Sequence, residues 1–205
     1  MTCQFGSGRH HTIFGSYPLR RTCNRARPRL ASPRTCDTIT KLQIQKSQPN
    51  NQTHLSARGF RFALIASRWN DAIVSALIEG AKRALTETSA DNESVEIFRV
   101  PGAFEIALCA QKAAESGKFD AVICLGVIIR GETPHFEYIA ASAARGISEA
   151  SLRTGVPLLF GVITADNVEQ ANDRAGDDQS NKGYEAAMAA VEMVNLFRRS
   201  FGDGG

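Results

Sequence analysis

Residues that bind metals, cross membranes or pair as disulfides are scarce in this chain. Its four histidines are His10, His11, His54 and His135, which leaves one in residues 59–205. The five cysteines (Cys3, Cys23, Cys36, Cys109 and Cys124) make an odd count with no Cys-x-x-Cys spacing. That pattern points to reduced thiols and supplies no zinc ligand set, so no metal site is expected. No window reaches the roughly 18 consecutive apolar residues of a membrane span. A signal-peptide core is also missing from the amino terminus. Acids are nearly absent from residues 1–58, which hold ten Lys/Arg and only Asp37.

The overall charge of +3 therefore divides into a basic segment of +9 and a remainder of −6, with 14 basic and 20 acidic residues. A mildly acidic domain repels phosphate backbones, which argues against nucleic acid as a partner of residues 59–205. The segment 1–58 is expected to be a disordered extension. Its Arg-rich, acid-poor composition also suits an organellar transit peptide. A dispensable or mis-assigned upstream segment remains open, as does, with less support, a basic arm touching RNA. No methionine separates Met1 from Met188, so a shorter product would need another start codon or proteolysis.

From residue 60 the pattern alternates between strand and helix. Strands are expected at Phe60 to Ala66, Val95 to Val100, Ala121 to Ile129 and Pro157 to Ile163. Helical spacing covers Asp71 to Thr88, Ala103 to Glu115, Pro134 to Arg153, Asn167 to Ala175 and Asn181 to Arg199. Alternation of this kind implies right-handed βαβ crossovers. The expected fold is thus α/β: a flavodoxin-like three-layer αβα sandwich on a four-stranded parallel sheet.

Ligands of such sheets bind outside the carboxyl ends of the strands. Those ends here read Ser67-Arg-Trp-Asn-Asp71, Pro101-Gly-Ala-Phe-Glu105, Arg130-Gly-Glu-Thr-Pro-His135 and Phe160-Gly-Val-Ile-Thr164. The only tryptophan and the only histidine of residues 59–205 fall among them, whereas the opposite loops are ordinary polar turns. Thr133-Pro134 reads as a helix start, with threonine at the N-cap and proline at the first helical position. His135 then lies in the first turn, where unpaired N–H groups and the helix dipole attract an anion and favour a neutral imidazole.

In this order the loops resemble the 6,7-dimethyl-8-ribityllumazine synthase family, which performs the penultimate step of riboflavin biosynthesis. The resemblance covers residues 59–200. It rests on Val100-Pro-Gly-Ala-Phe-Glu-Ile106, Gly126-Val-Ile-Ile-Arg-Gly-Glu-Thr-Pro-His135, Phe160-Gly-Val-Ile-Thr164 and Arg174-Ala-Gly followed by Asn181-Lys-Gly183. It implies a transferase joining 5-amino-6-(D-ribitylamino)uracil to 3,4-dihydroxy-2-butanone 4-phosphate, with release of phosphate and water and no cofactor.

The same resemblance implies residue roles. Trp69 and Asn70 would meet the pyrimidine, tryptophan standing where the family usually has phenylalanine. Ala103, Phe104 and Glu105 would hold the ribityl chain, although Glu105 also suits a plain first-turn helix acid. Val127, Ile128 and Ile129 would offer backbone contacts, and Lys182 would lie near the substrate's polar edge. Gly131, Glu132 and Thr133 would form the phosphate loop with Arg174, which otherwise reads as a cation closing its helix. His135 would be the acid/base residue, and Glu185 would either orient it or be an ordinary surface residue. Phe160 and Arg174 would face a neighbouring subunit, because the family's sites lie between subunits of a pentamer, alone or built into a decamer or a 60-subunit shell.

Two other readings share much of this pattern. A flavin- or ribityl-binding shell subunit would not need the histidine, the arginine and the phosphate loop together. An unrelated flavodoxin-like phosphate-binding module would lack the Pro101–Glu105 turn. The expected location is cytoplasmic, or an organelle if residues 1–58 are a transit peptide.

Overall fold

The structure is a computed structural model that describes residues 55–202. The expected extension lies outside the described residues up to residue 54, but its last four residues belong to the domain: Ala57 is fully buried in the core and donates its N–H to the Thr88 carbonyl at 2.7 Å. Four strands, β1 (Phe62–Ser67), β2 (Val95–Val100), β3 (Ala121–Ile129) and β4 (Leu158–Ala165), form one parallel sheet in the order β2-β1-β3-β4. They alternate with α1 (Asp71–Glu87), α2 (Ala103–Glu115), α3 (His135–Thr154), α4 (Val168–Asp173) and α5 (Lys182–Phe201). The three-layer α/β expectation holds, and element boundaries differ from the sequence reading by two residues or fewer at nearly every end. A short 3-10 turn at Asn92–Ser94, which has no apolar period to announce it, precedes β2.

Alternation along β3 sends its side chains into two cores. Ile123, Leu125 and Val127 join Leu77, Leu85, Ala187 and Val191 beneath α1 and α5. Val122, Cys124 and Ile128 join Ile106, Ala110 and Ile147 beneath α2 and α3. Covered on both faces, β3 is buried over its first eight residues, which explains its unbroken apolar run. Burial raises the pKa of the Cys124 thiol well above the ordinary range and so suppresses its thiolate.

One packing detail fixes the chain that follows α4. Asn181, almost fully buried, caps α5 by accepting from the N–H groups of Gly183 (2.8 Å) and Tyr184 (3.2 Å). Its amide donates to the carbonyls of Ala76 (3.1 Å) and Gly176 (2.9 Å), pinning the 176–181 loop onto α1. A methyl group on Gly183 would overlap the Leu77 carbonyl, and one on Gly80 would overlap the Asn181 side chain. Two glycines therefore permit the approach of α1 to α5. Tyr184 extends the seam by donating to Glu87 (2.7 Å), and this bond holds its phenol pKa above the ordinary value.

Gly183→Ala should cost about 3 kcal/mol or more, since backbone rather than a mobile side chain blocks the added carbon. Gly176→Ala, where a methyl group would meet nothing within 4 Å, should change stability by less than about 1 kcal/mol. Urea unfolding midpoints of the two variants against the parent check the contrast.

Candidate active site

The loops leaving β1, β2 and β3 share the carboxyl edge of the sheet, as the sequence predicts. β1 neighbours both β2 and β3, and its pairing with β3 ends at Ala66–Leu125. Beyond that point the Val127 carbonyl has lost its β1 partner, and the Asn70 side-chain amide approaches it at 3.4 Å. Asn70 can do so because it adopts the left-handed conformation (φ 59°, ψ 46°), which asparagine tolerates better than most residues. Its carbonyl still accepts from the N–H groups of Ile73 and Val74, opening α1.

Trp69, beside this turn, is 73% exposed, as suits a contact surface better than a core residue. A methyl group on Gly102 would lie 3.7 Å from Trp69 Cδ1 and 3.2 Å from Glu105 Oε2, so the first two loops adjoin. Glu105 accepts from the Gly102 N–H at 2.8 Å, the backbone half of a capping box. Its reading as a helix-start acid is thus realised in the geometry. Ala103 is buried while Phe104 is exposed beside it.

The third loop departs in detail from the expected cap. α3 begins at His135 with Pro134 (φ −63°, ψ 0°) in the cap position, and no side chain caps it, so Thr133 does not take the predicted role. Pro134 is already in helical geometry, and its carbonyl accepts from the Glu137 N–H at 3.0 Å, tightening the first turn. Gly131, Glu132, Thr133 and His135 are all exposed. The other N–H groups at the helix start have no acceptor one turn back within the helix, so the loop keeps the character of an anion site.

Arg130, next to this loop, donates to Asp166 (2.8 Å) and Glu137 (3.3 Å), and its guanidinium carbon lies 4.5 Å from the Phe136 ring centroid. Those two carboxylates hold its pKa above the ordinary value. The sequence reading passed over Arg130, whose partner Asp166 lies on another strand's loop and leaves no local signal.

Arg174 closes α4 by donating to the Gln170 carbonyl at 2.9 Å, the plainer of its two sequence readings. No carboxylate pairs with its guanidinium among the described residues. The Lys182 N–H donates to the Arg174 carbonyl at 2.8 Å, so the Asn181 anchor governs both positions. Lys182 in turn donates its ammonium to Glu185.

Phe160 requires a correction. The sequence reading put Phe160–Thr164 at the carboxyl end of the fourth strand, but β4 runs to Ala165 and Phe160 is its third residue, opposite Cys124. Five residues of strand, about 17 Å, separate it from the loop edge. Half-exposed on the α2–α3 side, Phe160 lies apart from this chain's own loop cluster.

Surface hollows lined by Arg61 with Asp91 to Ser94, and by Phe98, Cys109 and Phe119, lie away from the carboxyl edge.

Comparison with known proteins identifies relatives of this chain. Residues 59–198 match the family model of 6,7-dimethyl-8-ribityllumazine synthase. The chain is 54% identical over 145 residues to the 6,7-dimethyl-8-ribityllumazine synthase of Syntrophus aciditrophicus, covering 71% of this chain and 94% of that one. It is 55% identical over 145 residues to the protein of the same name from Chlorobium chlorochromatii, with the same coverage. For the one from Chloroherpeton thalassium the figures are 51% over 146 residues, 71% of this chain and 94% of that one.

The left-handed turn at Asn70 gives a separable prediction. Asn70→Gly and Asn70→Ala both lose the amide contact, but only alanine suffers the left-handed penalty of about 1–2 kcal/mol. Alanine should therefore be the less stable of the two by that amount in urea unfolding. Equal stabilities would mean that the turn relaxes out of the left-handed region.

Proposed function

Given that the chain belongs to the 6,7-dimethyl-8-ribityllumazine synthase family, we propose that its carboxyl-edge loops form the substrate site, with His135 as the proton-transfer residue. The protein is a transferase of riboflavin biosynthesis. It condenses 5-amino-6-(D-ribitylamino)uracil with 3,4-dihydroxy-2-butanone 4-phosphate to give 6,7-dimethyl-8-ribityllumazine, phosphate and water. The observation that carries the site reading is the shared edge. An exposed aromatic and a helix-start turn share this edge with a loop that ends in an exposed histidine.

The chemistry needs an imine between the pyrimidine's 5-amino group and the ketone, elimination of phosphate, and ring closure with loss of water. Each step moves a proton, and an imidazole can give or accept one near pH 7. His135 serves these transfers. Gly131, Glu132 and Thr133 bind the phosphate through their backbone, with Arg174 as its cation. Glu132 acts through its N–H group, because its carboxylate would repel the anion. Trp69 stacks on the pyrimidine beside Asn70, and Ala103, Phe104 and Glu105 hold the ribityl chain. Val127, Ile128 and Ile129 supply backbone contacts at the end of β3, and Lys182 meets the polar edge with Glu185 beside it.

A site between subunits reconciles the distance of Phe160 with a substrate role, since Phe160 then serves a neighbour's loops. Exposed apolar side chains on the same layer (Phe104 and Leu108 on α2, Tyr138 and Leu152 on α3) support association through this face. The assembly we propose is a homopentamer, free or within a decamer or a 60-subunit shell. No helix among the described residues is long and apolar enough to cross a membrane. The free thiols of Cys109 and Cys124 support a reducing compartment, the cytoplasm or an organelle. Residues 1–54 are proposed to form no part of the catalytic domain.

Mixing both substrates with the purified protein should produce lumazine fluorescence faster than the spontaneous reaction. His135→Ala should lower kcat by about 10- to 100-fold without unfolding, because much of the acceleration comes from holding two substrates together. An unchanged kcat would remove the proton-transfer assignment. No product above background from a well-folded oligomer would favour a binding or shell role. Trp69→Ala should raise KM for the pyrimidine roughly fivefold, the equivalent of about 1 kcal/mol of stacking, while Trp69→Phe stays near the parent. Identical KM values for all three would end the stacking assignment.

A further inference from the structure

The cluster around Arg130 has no part in the roles assigned above, yet it borders the anion loop on two sides. Arg130 is the residue immediately before Gly131. Its backbone N–H donates to the Ala165 carbonyl at 2.9 Å, which ties the loop's first residue to the end of β4. Its side chain reaches Asp166, just beyond β4, and Glu137, in the first turn of α3. Its guanidinium also lies over Phe136, adjacent to His135. One side chain thus bridges the segments that precede, follow and flank the loop.

The local charge balance gives this arrangement a consequence. Glu132, Glu137 and Asp166 put three carboxylates in or beside a loop that must accept a phosphate dianion. A helix N-terminus tolerates Glu137 well in the absence of a ligand, but a nearby carboxylate competes with an incoming anion for the same field. Arg130 engages two of the three acids. The side chains of Arg130, Glu137 and Asp166 remain roughly half-exposed or more (47%, 67% and 63%), so the ion pairs add little to folding. Their effect falls on loop shape and on the field the phosphate meets.

We propose that Arg130 is a positioning residue that screens the anion loop, holding Asp166 and Glu137 aside so that the loop accepts the phosphate-bearing substrate. The inference rests on the reading of Gly131–Thr133 as the phosphate site. It assigns Arg130 no direct contact with the phosphate, because Nε and Nη1 already donate to the two carboxylates.

A double-mutant cycle on the full-length assembled enzyme tests this, with KM for 3,4-dihydroxy-2-butanone 4-phosphate and inhibition by inorganic phosphate as readouts. Arg130→Gln should raise that KM about tenfold and weaken phosphate inhibition in parallel, leaving KM for the pyrimidine within about twofold. Asp166→Asn added to Arg130→Gln should recover most of the loss, since it removes a repelling charge. A purely structural role predicts no such recovery, and neither does a direct Arg130–phosphate contact. The proposal is therefore overturned if the double variant is as impaired as Arg130→Gln, or if Arg130→Gln matches the parent.

Arg174→Ala, run alongside, separates the two levels of the argument. A raised KM in Arg174→Ala with none in Arg130→Gln sinks the screening role and leaves the phosphate site standing. Unchanged KM in both sinks the two together. Recovery in the double variant with no effect of Arg174→Ala keeps the Arg130 role and removes Arg174 from the site.

Discussion

The arrangement of the candidate site depends on β1 and β3 lying side by side while their helices leave toward opposite faces. Right-handed crossovers require this once the strand order is β2-β1-β3-β4. The step from β1 to β2 goes one way across the sheet and puts α1 on one face. The steps from β2 to β3 and from β3 to β4 go the other way and put α2 and α3 on the opposite face. Between β1 and β3 the departing chains diverge, leaving a crevice at the carboxyl edge where backbone groups lose their ladder partners. The approach of Asn70 to the Val127 carbonyl is the local answer to that loss. Trp69 and the 130–135 loop flank the crevice because β1 and β3 end there.

A second constraint acts from the α1–α5 seam. Gly80 and Gly183 let the helices approach, and Asn181 bonds to both the loop and α1. Arg174 and Lys182, eight residues apart in sequence, are joined by a backbone hydrogen bond as a result. The two cations therefore owe their positions to a buried asparagine with little charge chemistry of its own. Core packing and site geometry are coupled through it.

Electrostatics divides Arg130 from Arg174. Arg130 is held by Asp166 and Glu137, whereas Arg174 bonds a helix carbonyl and pairs with no carboxylate among the described residues. A cation already neutralised by two acids is a poor anion ligand, and one held only by a carbonyl retains its charge. Two residues of the same type thus suit different tasks.

Much of this was legible from local sequence, and the reason is periodicity. A strand covered on both faces must be apolar throughout, so Ala121–Ile129 announced β3 to the residue, and helical spacing put the start of α5 at Asn181, within one residue. Four motif loops at strand ends were enough to suggest a family. Other features were misread or invisible because their causes are not local. Phe160 was taken for a strand end until pairing with Cys124 put it near the middle of β4. Thr133 looked like a cap, but Pro134, already helical, opens α3 without one. Arg130 was one more polar loop residue until the fold brought Asp166 to it, 36 positions along the chain. The sequence by itself determined which segments are strands and helices and which loops carry chemistry, since those follow from side-chain spacing within a few residues. Strand order, the Asn181 anchor and the partners of each arginine were decided only by tertiary structure, because hydrogen bonds and ion pairs select neighbours in space.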